Sequence, residues 1–220
     1  MEEHPFVEAV LENAEAIVDA AIDNEILKSI PVVGAALKLL KGATNIRDRL
    51  FAAKLMKFLQ SLESVSEDMK QNILDRVAES PEQAEAVGRT VLLLLDRLAS
   101  LEKPEIIAKL FVAYSFKRIS ASDFQRLSHA VDAALLDDLQ ALLSSHNTGK
   151  QNPTAKGFLQ YLYPVGLARM LGGKGENIGK LYFEISPLGN KMITAYYEGC
   201  KLCGQEGVPW RQGEVRTIIV

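Results

Sequence analysis

The sharpest chemical motif of the chain is a pair of cysteines three positions apart, Cys200 and Cys203. A CxxC pair can supply two ligands of a tetrahedral zinc site, or it can cycle between dithiol and disulfide. A zinc site needs two more ligands, and the nearest upstream histidines, His129 and His146, lie more than fifty residues earlier. We therefore predict reduced thiols with no cofactor, and keep zinc binding and redox cycling as the alternatives.

The sequence carries none of the common catalytic motifs. It has no HExxH, no GxSxG, and no GxGxxG placed after a strand. The glycine-rich stretch 172–175 lacks the spacing of a phosphate-binding P-loop and suits a hairpin tip better. We therefore expect a protein that binds, not an enzyme.

Charge is spread unevenly along the chain. The net charge is −3, but residues 1–27 carry −8, residues 28–57 carry +6, residues 58–147 carry −5 and residues 148–220 carry +4. Blocks of one sign are candidate partner surfaces, although solvated helix faces also produce them. The two basic blocks, residues 28–57 and 148–220, therefore contain the candidate binding residues.

The basic block 28–57 has three interpretations. Its residues 30–40 have the composition of a helix lying in a membrane interface, and its cations could bind phosphates or an acidic partner. We favour the third interpretation, in which the acidic helix within residues 1–27, which ends near Asn24, folds back on this block as an antiparallel hairpin. The candidate partner or membrane contacts are Lys38, Lys41, Arg47, Arg49, Lys54 and Lys57.

Helical periodicity dominates the chain as far as residue 147. Helix-start signals stand at Ser66, at Ser80-Pro81 and at Pro104. A capping box at Ser120 predicts a continuous helix that carries Leu135 and reaches residue 143. The run 91–95, rich in leucine, predicts a central, deeply buried helix. We predict six or seven helices in a single all-α bundle over residues 1–147.

The composition changes at the polar stretch 144–153, which we interpret as a linker. Twelve of the fifteen glycines lie in residues 149–220, and strand-like runs occur at 180–185 and 215–220. Residues 187–197 look helical. These signals predict a second, small α/β domain over residues 148–220.

Residues 154–197 follow the order helix (154–163), strand (165–171), glycine-rich tip (172–179), strand (180–185) and a helix opened by Ser186 and Pro187. The segment Phe183-Glu184-Ile185-Ser186-Pro187-Leu188-Gly189 is similar to the one that leads from the wing into a helix in many winged-helix domains. The resemblance covers about 45 to 65 residues, and the rest of the chain resembles no characterised family. It implies a winged-helix-like module.

In DNA-binding winged helices, the helix before the wing enters the major groove and the wing touches the backbone. Here that helix would be residues 154–163, which offer Tyr161 and Tyr163 among few polar contacts. Many winged helices bind proteins instead. The candidate nucleic-acid or partner contacts are Lys156, Arg169, Lys174 and Lys180.

The chain has 220 residues, 48% of them hydrophobic, with two cysteines and with Glu2 and Glu3 where a secretory signal would be basic. We therefore expect a cytoplasmic protein that is mainly α, with a helical domain and a small winged-helix-like α/β module. We predict a regulator, adaptor or accessory subunit of a larger bacterial-type assembly, acting through a protein partner or self-association. The alternatives are an anionic membrane surface bound by block 28–57, and DNA bound by the C-terminal module.

Overall fold

The computed structural model describes residues 46–63, 65–145, 157–172 and 181–205. These ranges hold eight helices and two strands, which confirms a mainly α fold with a small α/β module. In chain order they are α1 (Ile46–Glu63), α2 (Glu67–Glu79), α3 (Pro81–Arg97), α4 (Lys103–Ser115), α5 (Ala121–Ala133), α6 (Leu136–Ser144), α7 (Leu159–Leu162), β1 (Ala168–Gly172), β2 (Leu181–Ile185) and α8 (Pro187–Leu202).

Helix α4 forms the centre of the molecule. Every residue of α4 except Glu105 is buried, and helices α1, α5 and α8 pack against it. Four of the five residues of the run 91–95 in α3 are buried, as predicted, but α3 is not the central helix, because Leu93 is 60% exposed. Glu85, Arg89 and Leu93 recur every four residues, so they form a solvent-facing stripe on α3.

The predicted continuous helix from residue 120 is two helices, α5 and α6. Ala134 and Leu135 between them are extended, and Leu135 is 70% exposed. The buried Lys103 ammonium donates hydrogen bonds to the carbonyls of Asp132 at 2.9 Å and Ala134 at 2.6 Å. These bonds satisfy carbonyl groups that the end of α5 leaves open, and so they stabilise the break.

The capping box at the start of α5 is confirmed. The Asp123 amide donates to the Ser120 hydroxyl at 3.0 Å, and the Ser120 amide donates to the Asp123 carboxylate at 3.4 Å. Ser66 and Ser80 stand at the caps of α2 and α3 as predicted, but neither side chain makes a capping hydrogen bond.

The C-terminal strands and helix lie close to their predicted positions. β1 and β2 pair antiparallel, with Ala168 opposite Ile185 and Gly172 opposite Leu181. Helix α8 is longer than predicted, and it includes Cys200. The predicted helix 154–163 is a single turn, α7, in its described part, because residues 157 and 158 form a turn.

One hydrophobic core extends from Ala52 in α1 to Cys203 after α8, so elements on both sides of the predicted domain boundary share it. The predicted boundary between residues 147 and 148 lies outside the described residues, as does most of the linker 144–153, and the division into two domains stays a prediction. The acidic helix of residues 1–27, its fold-back on block 28–57, and the strand 215–220 likewise fall on residues outside the described ranges. Among the described helices, none is long and apolar enough to cross a bilayer.

Candidate functional site

The β-hairpin is anchored to the helical core at its base. The Leu167 amide donates to the Leu162 carbonyl at 3.1 Å, and the Ser186 amide donates to the Leu167 carbonyl at 3.0 Å. The Ser186 hydroxyl donates to the Gly166 carbonyl at 2.6 Å and also caps α8. With Ala168 and Ile185 buried, the base of the hairpin is a rigid part of the molecule.

The outer edge of β1 presents backbone groups that no described residue pairs with. The bond from Ser186 to Leu167 marks a hydrogen-bonded pair at the base, and such pairs alternate with non-hydrogen-bonded pairs along an antiparallel ladder. Arg169 and Leu171 therefore bond to β2, whereas the N–H and C=O groups of Met170 and Gly172 point away from it. Among the described residues, the sheet has no third strand.

Exposed apolar side chains concentrate at this hairpin. Seven large hydrophobic residues are exposed in the described ranges, and five of them lie on β1, on β2, on α7 or immediately after α7. The other two, Leu93 and Leu135, lie elsewhere on the helical bundle. We call the five residues the hairpin surface: Tyr161, Tyr163, Met170, Leu171 and Leu181.

The hairpin surface is continuous with the core on one face of the sheet. The Tyr163 ring packs against Phe183, with ring centroids 5.8 Å apart, and Phe183 lies opposite Met170. Because side chains alternate between faces, Met170 and Phe183 share the face of the buried Ala168. Leu171 belongs to the other face, so β1 exposes apolar side chains on both faces.

Only part of the C-terminal candidate set can be placed. Arg169 forms an ion pair with Glu184, its cross-strand neighbour. Lys156, Lys174 and Lys180 lie outside the described residues, so the wing tip that would carry two of them is not placed. Tyr161 and Tyr163, predicted as polar contacts of the segment 154–163, are part of the apolar hairpin surface.

The basic block 28–57 is also placed in part. Arg47 pairs with Asp96 at 2.7 Å, and the buried Lys54 ammonium donates to the Asp96 carbonyl at 3.1 Å, at the end of α3. Burial lowers the pKa of Lys54. Lys57 is half-buried. Lys38, Lys41 and the Arg49 side chain lie outside the described residues.

Cys200 and Cys203 are buried free thiols beside α4. Burial raises the pKa of Cys200 to about 11, and the nearby Lys109 ammonium and a hydrogen bond with Tyr196 offset only part of that effect. The fully buried Lys109 donates to the Ser61 carbonyl at 3.3 Å, and the Cys203 thiol lies 3.8 Å from the same oxygen. The described residues contain no cluster of three or more potential metal ligands.

A shallow groove of about 790 Å³ lies between the α4–α5 turn and α8. Its cations are already engaged with carboxylates. Lys191 pairs with Asp123 at 2.8 Å and Arg118 with Glu198 at 3.5 Å. Eight of the ten residues that line the groove are polar or charged, and each of its cations pairs with a carboxylate, so we do not place the binding site there.

The hairpin surface was missed by sequence analysis because an apolar run in a strand is equally typical of a strand buried on both faces. The only signal in the sequence is that Met170 and Leu171 are adjacent on β1, with Tyr161, Tyr163 and Leu181 within about ten positions of them. No family model, curated protein or solved structure matches the chain. The chain thus resembles no characterised family, and the winged-helix resemblance stays a prediction.

Proposed function

We propose that this protein is a non-catalytic binding protein, a regulator or adaptor that holds a protein partner at the hairpin surface. One observation carries the proposal: five of the seven exposed large hydrophobic side chains of the described residues lie on one small module. Exposed apolar patches mark interaction sites, and aromatic residues and Met are enriched in interfaces.

The anchoring of the hairpin supports this role. The Ser186 and Leu167 hydrogen bonds fix its base, and α8, which follows it directly, packs along the central helix α4. A binding surface held by a rigid scaffold loses little conformational entropy when a partner docks. The helical bundle would then serve to present the hairpin.

The proposal is tested with paired surface variants of the full chain. Tyr161→Ser combined with Leu181→Ser removes two of the most exposed side chains of the hairpin surface, which are 61% and 63% exposed. Leu93→Ser is the matched control, because Leu93 is 60% exposed but lies on α3. Tagged proteins are used for capture from the native host, and bound proteins are identified by mass spectrometry.

We expect a partner that the wild type and Leu93→Ser recover equally, and that the double variant recovers at least about tenfold less, as expected for an interface centred on these side chains. Equal recovery by all three proteins would overturn the proposal. Circular dichroism of each variant establishes that the fold is retained.

The membrane and DNA alternatives remain predictions and are separated by two further measurements. DNA binding predicts association with random duplex that weakens steeply as salt is raised, because counterions are released from the phosphates. Membrane binding predicts co-sedimentation with anionic vesicles that depends on block 28–57. The adaptor is supported by a protein partner whose recovery depends on the hairpin surface, together with absence of both DNA binding and vesicle binding.

A further inference from the structure

We propose that the partner binds as an extended strand added to the outer edge of β1. This inference rests on the proposed function, because it specifies how the hairpin surface would be used. The backbone N–H and C=O groups of Met170 and Gly172 face that edge and, within the described residues, no strand pairs with them. Such an edge is a template for another strand.

The edge of β1 is more accessible than that of β2. Arg169, Met170, Leu171 and Gly172 are all exposed, whereas the middle of β2 is half-buried and β2 also contacts α8. A strand added beside β1 would place alternate side chains next to Met170 on one face and next to Leu171 on the other. Exposed apolar residues on both faces of β1 fit such an addition.

An extended peptide segment is large enough to cover the hairpin surface. The exposed area of its five side chains is roughly 500 Å², and a strand of about six residues is about 20 Å long. Two copies of the chain paired at this edge would bring together two modules that each carry +4, and this like charge disfavours a second copy as the occupant.

Charge completes the description of the partner. Residues 148–220 carry a net charge of +4, and Lys180 immediately precedes β2 in the sequence. A segment with acidic residues flanking alternating apolar positions would therefore be attracted to this module. The proposed partner is an acidic, extended segment of another protein.

The probe is the fluorescent peptide Glu-Glu-Thr-Val-Thr-Val-Thr-Glu-Glu, titrated into the full chain at low salt. Met170→Pro removes an outward N–H that β2 does not use, and proline is tolerated at such edge positions. Met170→Ala removes the side chain but keeps the N–H, and Leu93→Ser is the remote control. We expect saturable binding by the wild type, and binding by Met170→Pro about tenfold weaker than by Met170→Ala.

Backbone exchange supplies the second readout. Binding should slow hydrogen exchange at the Met170 and Gly172 amides, and a peptide methylated at its backbone nitrogens should not bind. The methylated peptide also keeps the test decisive if Met170→Pro does not fold. Equal binding by Met170→Pro and Met170→Ala, or by the methylated peptide, would overturn strand addition. Capture of a partner that depends on Tyr161 and Leu181 could still be observed after that result. The proposed function and the strand-addition mechanism can therefore be refuted independently.

Other occupants of the edge give distinct results, and each would overturn the inference. Concentration-dependent dimers that the peptide does not disrupt would identify a second copy of the chain. Peptide binding that requires deletion of residues 206–220 would identify the chain's own tail. Binding to phosphatidylserine vesicles that Leu181→Ser abolishes would identify a membrane. Absence of peptide binding up to about 1 mM would exclude an acidic strand.

Discussion

Lys117 occupies a backbone position that ordinarily belongs to glycine. Its φ is +57°, and it follows α4 where the Arg118 amide donates to the Ala113 carbonyl and the Lys117 amide to the Tyr114 carbonyl. These two bonds form a Schellman motif, whose left-handed residue is usually glycine. The Lys117 ammonium also pairs with the Glu79 carboxylate at 2.9 Å. A substitution of Lys117 therefore changes the free energy of unfolding through both the backbone and the side chain.

We predict that Lys117→Gly is more stable than Lys117→Ala by about 1 kcal/mol, since only glycine relieves the left-handed backbone. Both variants lose the exposed ion pair with Glu79, so their comparison isolates the backbone. Urea unfolding of the two proteins measures the difference. Equal stability, or a more stable alanine variant, would show that the turn is not left-handed.

Cys200 makes stability depend on alkaline pH. Burial raises the pKa of its thiol from an ordinary value near 9 to about 11, so the folded state holds the proton more tightly than the unfolded state. The protonated thiol therefore contributes its full stabilisation of the folded state below pH 9, and this stabilisation is lost as the pH rises to about 11. Linkage puts the loss in the free energy of unfolding at up to about 3 kcal/mol.

This pH dependence is measured by urea unfolding at several pH values between 8 and 11. Cys200→Ala should be less stable than the wild type, but its free energy of unfolding should decrease less between pH 8 and 11. Cys203→Ala should show most of the wild-type decrease, because Cys200 remains. Tyr197, whose pKa is also raised by burial and further by Cys200, is present in all three proteins. Its burial effect cancels in the comparison, and the loss of the Cys200 effect reduces the fall in Cys200→Ala in the same direction. If the free energy of unfolding falls equally with pH in the wild type and in Cys200→Ala, the pH dependence does not come from the Cys200 thiol.

At the scale of elements, α8 approaches α4 closely at Gly199. A Cβ atom built on Gly199 would lie 2.1 Å from the Lys109 carbonyl oxygen. Alanine normally stabilises a helix by about 1 kcal/mol relative to glycine. Here the methyl group would force two buried helices apart, and overpacking of this kind costs about 3 kcal/mol.

We therefore predict that Gly199→Ala lowers the free energy of unfolding by about 2 kcal/mol or more, against its helix propensity. Gly172→Ala is the control, because a Cβ there would meet nothing within 4 Å. Chemical denaturation of both variants checks the result. A Gly199→Ala protein as stable as the wild type would mean that α8 and α4 are not in close contact.

Sequence patterns predicted the described elements well where the signals were local. The starts of α3 and α5 and the positions of β1, β2 and α8 follow from proline, capping residues and strand-forming runs. The break after Ala133 could not be predicted, because Lys103 makes it from 29 positions away in sequence. The same applies to Lys54, which looked like a surface cation and instead bonds to a carbonyl at the end of α3.

At the scale of the whole molecule, composition and periodicity predicted a mainly α fold but not which helix lies at its centre. Helix α4 is central because α1, α5 and α8 all pack on it, and such partners are not encoded in its own residues. The candidate site shows the same limit. The apolar character of β1 is visible in the sequence, whereas its exposure depends on what the rest of the chain leaves uncovered.

The central claim is that a protein partner is held at the hairpin surface, and site-specific photocrosslinking tests it most directly. A benzophenone amino acid replaces Tyr161 in one protein and Leu93 in another, since both side chains are about equally exposed, and each is irradiated in the native host. We predict a discrete adduct with a second protein from position 161 and none from position 93. No adduct at 161, or the same adducts at both positions, would contradict the claim.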